Sequence, residues 1–484
     1  MKKLLAILWI IIISAITLMI FHFSKPPSSQ LENQPIADKD NSQTTVILRG
    51  NIPQISNNGT YEKTGDDFLN KDDLENAIAN YQKALEKNPD SQDLILKLAT
   101  TYLKNNQSDE ARNLLTESLK TKPDSIDLNI ALARTYLGMR EIEKAKGIIW
   151  TLDEKNNFVQ YYKGIILVLY KDFEGAKKTF QNIADLNPKP EQSLLDNNQK
   201  FLDAYQNFSY YKGGENLYLE ILLAKSMTGA EEYQAAIPLL YDILNTKNNY
   251  RDAWVLLGYS YLNVNKPNEA IDALIQAKDL TPKKPETLFY LGLAYFSKND
   301  LDKAIYYIEE ADKNGYEPKD QIKLKLGDLY LLKQDYQKSA TNYENVLSKN
   351  TKNMDVFIRA VWLNIDKLNN PEKALALSQK AADKHPNEAM SFNLMGWSYT
   401  ALGNYDKAKE DLEIALRLQP NLDAAQLNYG WLYEKSGNKN LAKEYYKKAY
   451  ILGHGNSVGV LAANRYNNLS TNISAPNIEP IPRN

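Results

Sequence analysis

Between residues 58 and 456, apolar positions return at helical spacing, in two stripes per unit. Residues 251–282 show the arrangement most clearly. Trp254, Leu257, Gly258 and Tyr261 stand at i, i+3, i+4 and i+7, which is one face of a helix. Ala270, Leu274 and Ala277 repeat that period, and NVNKPN separates the two stripes as a turn. Each unit therefore reads as two antiparallel helices, A and B. Gly258 and Ala270 let the two helices approach closely, while Tyr261 and Leu274 fill the space beside them. Pro282 cannot continue helix B and helps to end it. The turn positions hold Asn265, Asn299, Gly403 and Gly437, residues that tolerate left-handed backbone angles.

The same positions recur about every 34 residues. Leu291, Gly292, Tyr295, Ala304, Ile308 and Ala311 form one unit, and Met395, Gly396, Tyr399, Ala408, Leu412 and Ala415 another. Tyr429, Gly430, Tyr433, Ala442, Tyr446 and Ala449 follow in register. Towards the N-terminus, Gly65, Tyr81, Ala99, Leu115, Ala133, Ile149, Gly164 and Phe180 hold the equivalent places. The pattern resembles the tetratricopeptide repeat over residues 58–456. The fold class expected is all-α: a superhelical solenoid of about eleven helix pairs, preceded by a single transmembrane helix. Four pairs are expected in residues 58–190, an inserted helix and joint in 191–216 with Gly213-Gly214, and seven pairs in 217–456. Trp362 falls where glycine is usual, so wider helix packing is expected there. Residues 457–484 read as a capping helix followed by a frayed tail. No unit buries its apolar face alone, so stacking on neighbours must supply the core.

Residues 4–21 are an apolar run of 18 residues behind Lys2 and Lys3, broken only by Ser14 and Thr17. At 1.5 Å per residue such a helix is about 27 Å long, close to the hydrocarbon thickness of a bilayer. A secretory signal core is shorter and ends in small residues, which Leu18 to Phe23 do not offer. Residues 1–23 therefore read as a retained signal anchor, with a cleaved signal peptide as the alternative. The lysines favour a cytoplasmic N-terminus, placing the bulk of the chain on the periplasmic or extracellular side, or secreted if the segment is cleaved. Residues 24–57 read as a flexible linker rich in Ser, Pro, Gln and Asn. Its stretch TTVILRGNIPQI is either an extended passage or a docking strand.

Composition narrows the chemistry. Lysine plus arginine number 58 and aspartate plus glutamate 60, and no run of five like charges appears, so no nucleic-acid partner is expected. With no cysteine, disulfides, thiolate metal sites and cysteine nucleophiles are excluded. The three histidines, His22, His385 and His454, share no metal-ligand spacing. No phosphate loop, dinucleotide fingerprint, nucleophile elbow or zinc-protease motif is present. No enzyme, cofactor, metal or small-molecule substrate is expected.

The resemblance implies an inner surface lined mainly by helix A, at repeat positions 2, 5, 6, 9, 12 and 13. In the later units these positions include Tyr259, Phe289, Tyr290, Phe296, Asn393, Trp397 and Trp431. Asn393 has both a donor and an acceptor for a peptide backbone, and the aromatics are candidate anchors. Packing between neighbouring helices is the other reading of each ring. Some members of the family clamp a chaperone's C-terminal carboxylate with Lys, Asn and Arg. Here positions 5 and 9 are Val255/Tyr259, Phe289/Leu293 and Leu324/Asp328, so an apolar or aromatic-rich protein segment is expected instead. The function expected is a membrane-anchored scaffold binding other proteins, with membrane contact through residues 4–21. The alternatives are a cell-envelope component that binds polysaccharide during export or assembly, and a non-catalytic subunit of an enzyme complex.

Overall fold

The computed structural model describes residues 58–70, 73–183, 189–210, 215–453 and 456–470. Helices come in order as α1 (Asn58–Asn70), α2 (Leu74–Lys87), α3 (Gln92–Lys104), α4 (Ser108–Thr121), α5 (Ile126–Gly138), α6 (Ile142–Ile149), α7 (Asn157–Leu169) and α8 (Phe173–Ile183). An unpaired helix, α9 (Gln192–Ser209), follows. Next come α10 (Asn216–Gly229), α11 (Tyr233–Thr246), α12 (Arg251–Asn263), α13 (Pro267–Leu280), α14 (Pro285–Ser297), α15 (Leu301–Lys313), α16 (Lys319–Leu332) and α17 (Tyr336–Lys349). The last are α18 (Met354–Trp362), α19 (Pro371–Lys384), α20 (Ala389–Ala401), α21 (Tyr405–Leu418), α22 (Asp423–Lys435), α23 (Lys439–Gly453) and α24 (Ser457–Ser470). The described residues form an all-α solenoid of antiparallel helix pairs and contain no strand.

Close helix contact inside a pair depends on the small residue of helix A. A Cβ added at Gly258 would lie 2.5 Å from Leu274 Cγ, and one at Gly164 would lie 2.6 Å from Phe180. Gly396 meets Leu412, and Gly65 meets Tyr81, in the same way. Each partner stands sixteen residues further on, so one bare backbone position receives one large side chain in every such pair. The turn between the helices carries a residue at positive φ: Asn106, Asn265, Asn299, Gly403 and Gly437 do so. Arg140, Lys171 and Gln334 adopt the same angle without being glycine or asparagine, at about 1–2 kcal/mol each. The paired geometry imposes the angle whatever the residue.

Trp362 does not take the glycine slot. α18 runs into a π-helical turn, Leu363–Lys367, in which the Leu368 N–H donates to the Leu363 carbonyl. That wider turn absorbs one extra residue. Val361, fully buried, faces the pair, and Trp362 rotates to a partly exposed position. The helix-B position elsewhere filled by Leu, Ile or an aromatic is here the small Ser378, whose hydroxyl bonds the Ala374 carbonyl at 2.8 Å.

The structure divides into two compact units between Tyr316 and Glu317, inside the stretch read from sequence as one seven-pair array. Pairs α10–α11 and α12–α13 belong with the first four pairs because they pack back on α5. Arg140, just after α5, donates to the Tyr261 hydroxyl at 3.0 Å. α9 joins this unit through Phe201, stacked on Phe180 with ring centroids 4.4 Å apart. In the second unit, α24 closes the C-terminal end by burying Ala462 against Ala442, Tyr446 and Ala449. The expected anchor (1–23), linker (24–57), Gly213-Gly214 joint and tail (471–484) lie outside the described residues. Among the described residues, no helix is long and apolar enough to cross a membrane.

Candidate functional site

In the first unit, the start of helix B in one pair and the A helices of the next two line up an aromatic ladder. Tyr233 meets Tyr259 at 5.9 Å, Tyr259 meets Tyr290 at 5.1 Å, and Phe289 meets Tyr290 at 6.0 Å. Tyr259 and Tyr290 remain partly exposed. Burial raises the pKa of Tyr233, Tyr259 and Tyr290, so their hydroxyls stay neutral. Phe289 departs from the expectation of an exposed groove residue. It is 2% exposed and stacks on Tyr316 at 4.3 Å, because the loop after α15 folds over it. Its role is core packing. Phe296 lies in the last turn of α14 and is partly exposed.

The second unit carries a polar and a tryptophan row on its A helices. Asn393 is 2% exposed, so it is not free to read a peptide backbone. Its Oδ1 accepts from Asn428 Nδ2 at 2.9 Å, and its own amide reaches Met390 Sδ at 3.3 Å. Neighbouring helix pairs thus spend this side chain on holding each other. Trp397 and Trp431, one repeat apart, are partly exposed. Trp397 packs against the same core cluster as Met390 and Trp362, and Lys435 Nζ stands 5.6 Å from the Trp431 ring centroid.

Sequence reading missed the buried charges one to two repeats earlier. Asp328 Oδ1 accepts from Arg359 at 2.8 Å and from the Tyr343 hydroxyl at 2.8 Å. Lys325 lies in the same pocket, 5% exposed, and burial lowers its pKa while Asp328 opposes that. Arg359 stands 34 residues before Asn393, at the same repeat position, and that spacing was the available signal. Among the described residues, no group of three or more His, Asp or Glu is placed to hold a metal ion.

Family models described as tetratricopeptide repeat match residues 69–124, 107–166, 255–318 and 393–457. The matched segments carry tetratricopeptide repeats, in agreement with the helix pairs described above. A curated relative is the anaphase-promoting complex subunit CDC16 of Saccharomyces cerevisiae, 26% identical over 147 residues, or 29% of this chain. The match spans only 17% of that relative's length. Among solved structures, the APC/C hetero-tetramer Cut9-Hcn1 is 14% identical at TM-score 0.30, covering 85% of this chain and 96% of that one. Yeast Tom70 is 15% identical at TM-score 0.29, covering 86% and 96%. YrrB, a TPR protein with an unusual peptide-binding site, is 20% identical at TM-score 0.31, covering 40% and 99%. At those scores, the superpositions support no statement about function.

Proposed function

We propose that this chain is a non-catalytic, membrane-anchored scaffold that holds a segment of another protein along the A helices of its second unit. The observation that carries the proposal is the pair Trp397 and Trp431, repeat-related and partly exposed, on the same helices whose Asn393 and Asn428 are buried in contact with each other. Rigid, partly wet aromatic rings on a preformed scaffold supply contact area at small entropy cost. The segment they fit is apolar or aromatic, extended or helical. Tyr259 and Tyr290 offer a second, tyrosine-rich row on the first unit. The apolar run at residues 4–21 supports the anchor in this reading, and Lys2 and Lys3 favour a cytoplasmic N-terminus with the repeats on the outer side. Anchoring raises the effective concentration near membrane partners.

Affinity capture from detergent extracts, with tagged wild type and a Trp397→Ala/Trp431→Ala variant, tests the site. The variant should lose the partners that wild type retains. A double variant that captures all of them would remove the site from this role.

A further inference from the structure

The second unit carries an exposed apolar corner where α23 meets α24, away from the row of tryptophans. Tyr450 and Ile451, in the last turn of α23, are each 48% exposed, and Val460, in the first turn of α24, is 43% exposed. The two helices meet there through bare backbone. A Cβ added at Gly453 would lie 2.7 Å from the Gly459 amide nitrogen, and one at Gly459 would lie 3.4 Å from the Tyr450 carbonyl oxygen. That crossing sets Val460 next to the turn that carries Tyr450 and Ile451.

The repeat does not call for an apolar residue at this place. In the pairs that end with α13, α15, α17, α19 and α21, the equivalents of Ile451 are Asp279, Lys313, Ser348, Asp383 and Arg417, all exposed. The core side of α23 is a different stripe, Ala442, Tyr446 and Ala449, which packs on Ala462 of α24. Charge accompanies the corner. α23 holds Lys439, Lys443, Lys447 and Lys448 against one acid, Glu444, and α24 holds Arg465 and no acid, in a chain whose net charge is −2. Lys447 precedes Tyr450 by three residues and Ile451 by four, so it shares their side of the helix. Lys447 and Lys448 are both exposed, and Lys448 Nζ lies 4.6 Å from the centre of the Tyr445 ring. Lysine stems can lie along apolar surface while the ammonium groups stay at a polar one.

We infer that the α23–α24 corner is a peripheral contact site for a bilayer surface that contains anionic phospholipid. Tyr450, Ile451 and Val460 enter the boundary between headgroups and acyl chains, where a tyrosine ring is at home. Lys447 and Lys448 stay level with the lipid phosphates. Apolar burial and attraction to negative headgroups add together, and a neutral bilayer offers only the first. The inference depends neither on Trp397 and Trp431 nor on the apolar run at residues 4–21.

The test uses the full chain, whose lack of cysteine allows one polarity-sensitive fluorophore at a chosen site. Ser457→Cys, one turn before Val460 and exposed, reads the corner, and Tyr306→Cys on α15 is the control. Each labelled protein is mixed with vesicles of phosphatidylcholine alone, or of phosphatidylcholine with phosphatidylglycerol. Emission at the Ser457→Cys site should shift to the blue and be quenched by spin-labelled lipid with the anionic vesicles only, and the control site should not respond. Lys447→Gln/Lys448→Gln should lower the ratio of membrane-bound to free corner about thirtyfold. Tyr450→Ser/Ile451→Ser should abolish the shift with an unchanged thermal melt, because both side chains lie outside the core stripe. No shift with anionic vesicles overturns the proposal, as does an equal shift with phosphatidylcholine alone or a shift that survives both double variants. A shift that grows with protein concentration at fixed lipid also overturns it, since a second copy of the chain would then cover the corner.

Discussion

Gly258 and Leu274 are in such close register that a single added carbon at Gly258 would lie 2.5 Å from Leu274 Cγ and 3.2 Å from the Ala270 carbonyl oxygen. The backbone contact leaves the helices no room to yield by a rotamer change alone. Gly258→Ala should therefore destabilise by about 1–3 kcal/mol through overpacking. Gly147 is also within a helix but has nothing within 4 Å of an added Cβ. Gly147→Ala should be neutral or stabilise by about 0.4–1 kcal/mol. Urea midpoints of the two variants decide the matter, and equal shifts would contradict the assigned pair geometry.

Asn393→Ala would leave the Asn428 amide buried and without its acceptor. The expected cost is about 1–3 kcal/mol, the usual penalty for an orphaned buried group. Asn393→Ala/Asn428→Ala should cost less than the two single changes added together, since they share one interaction. Strict additivity in a double-mutant cycle would show that the two side chains do not hold the repeats together. Partner capture should survive in Asn393→Ala, in contrast to the tryptophan double variant.

Asp411 on α21 is 8% exposed, and its pKa is pushed up to about 6, first by burial and then by Glu410, with Lys407 opposing. Because its folded value lies above the ordinary 3.8, the fold favours the protonated acid. Its contribution is thus most favourable below about pH 4 and is lost as pH rises through about 6. Asp411→Asn should stabilise the protein at pH 7.5 by about 1–3 kcal/mol. The gain should vanish at pH 3.5. Denaturant melts at the two pH values check this, and an advantage that persists unchanged in acid would show another origin.

The chain has no native cysteine, so one introduced thiol reports on topology without background. Tyr306 on α15 is 58% exposed and suits Tyr306→Cys. In intact cells a membrane-impermeant maleimide should label that thiol as fully as it does after lysis. Labelling only after lysis would place the repeats on the cytoplasmic side and sink the proposed orientation.

Helix pairing was legible because it rests on short-range repetition. The i, i+3, i+4 stripes, the glycine met sixteen residues later by a large side chain, and the turn asparagines and glycines all lie inside one unit. The anchor residues were less legible. Tyr259, Tyr290, Trp397 and Trp431 are partly exposed as a groove requires, whereas Phe289 and Asn393, at equally suitable repeat positions, are buried. What covers them comes from elsewhere: Tyr316 from the next loop and Asn428 from the next pair.

The sequence by itself determined which residues form helices, how they pair, and that successive pairs must stack, because periodicity and steric size act over a few residues. The tertiary structure alone decided that Val361 rather than Trp362 faces its pair, through one π turn. It also decided that the first unit extends to Tyr316 and that Glu232 closes on Arg134 and Tyr162. Those outcomes depend on small rotations accumulated from pair to pair. No spacing in the chain encodes that sum; the stacked helices must be assembled before side chains seventy residues apart can meet.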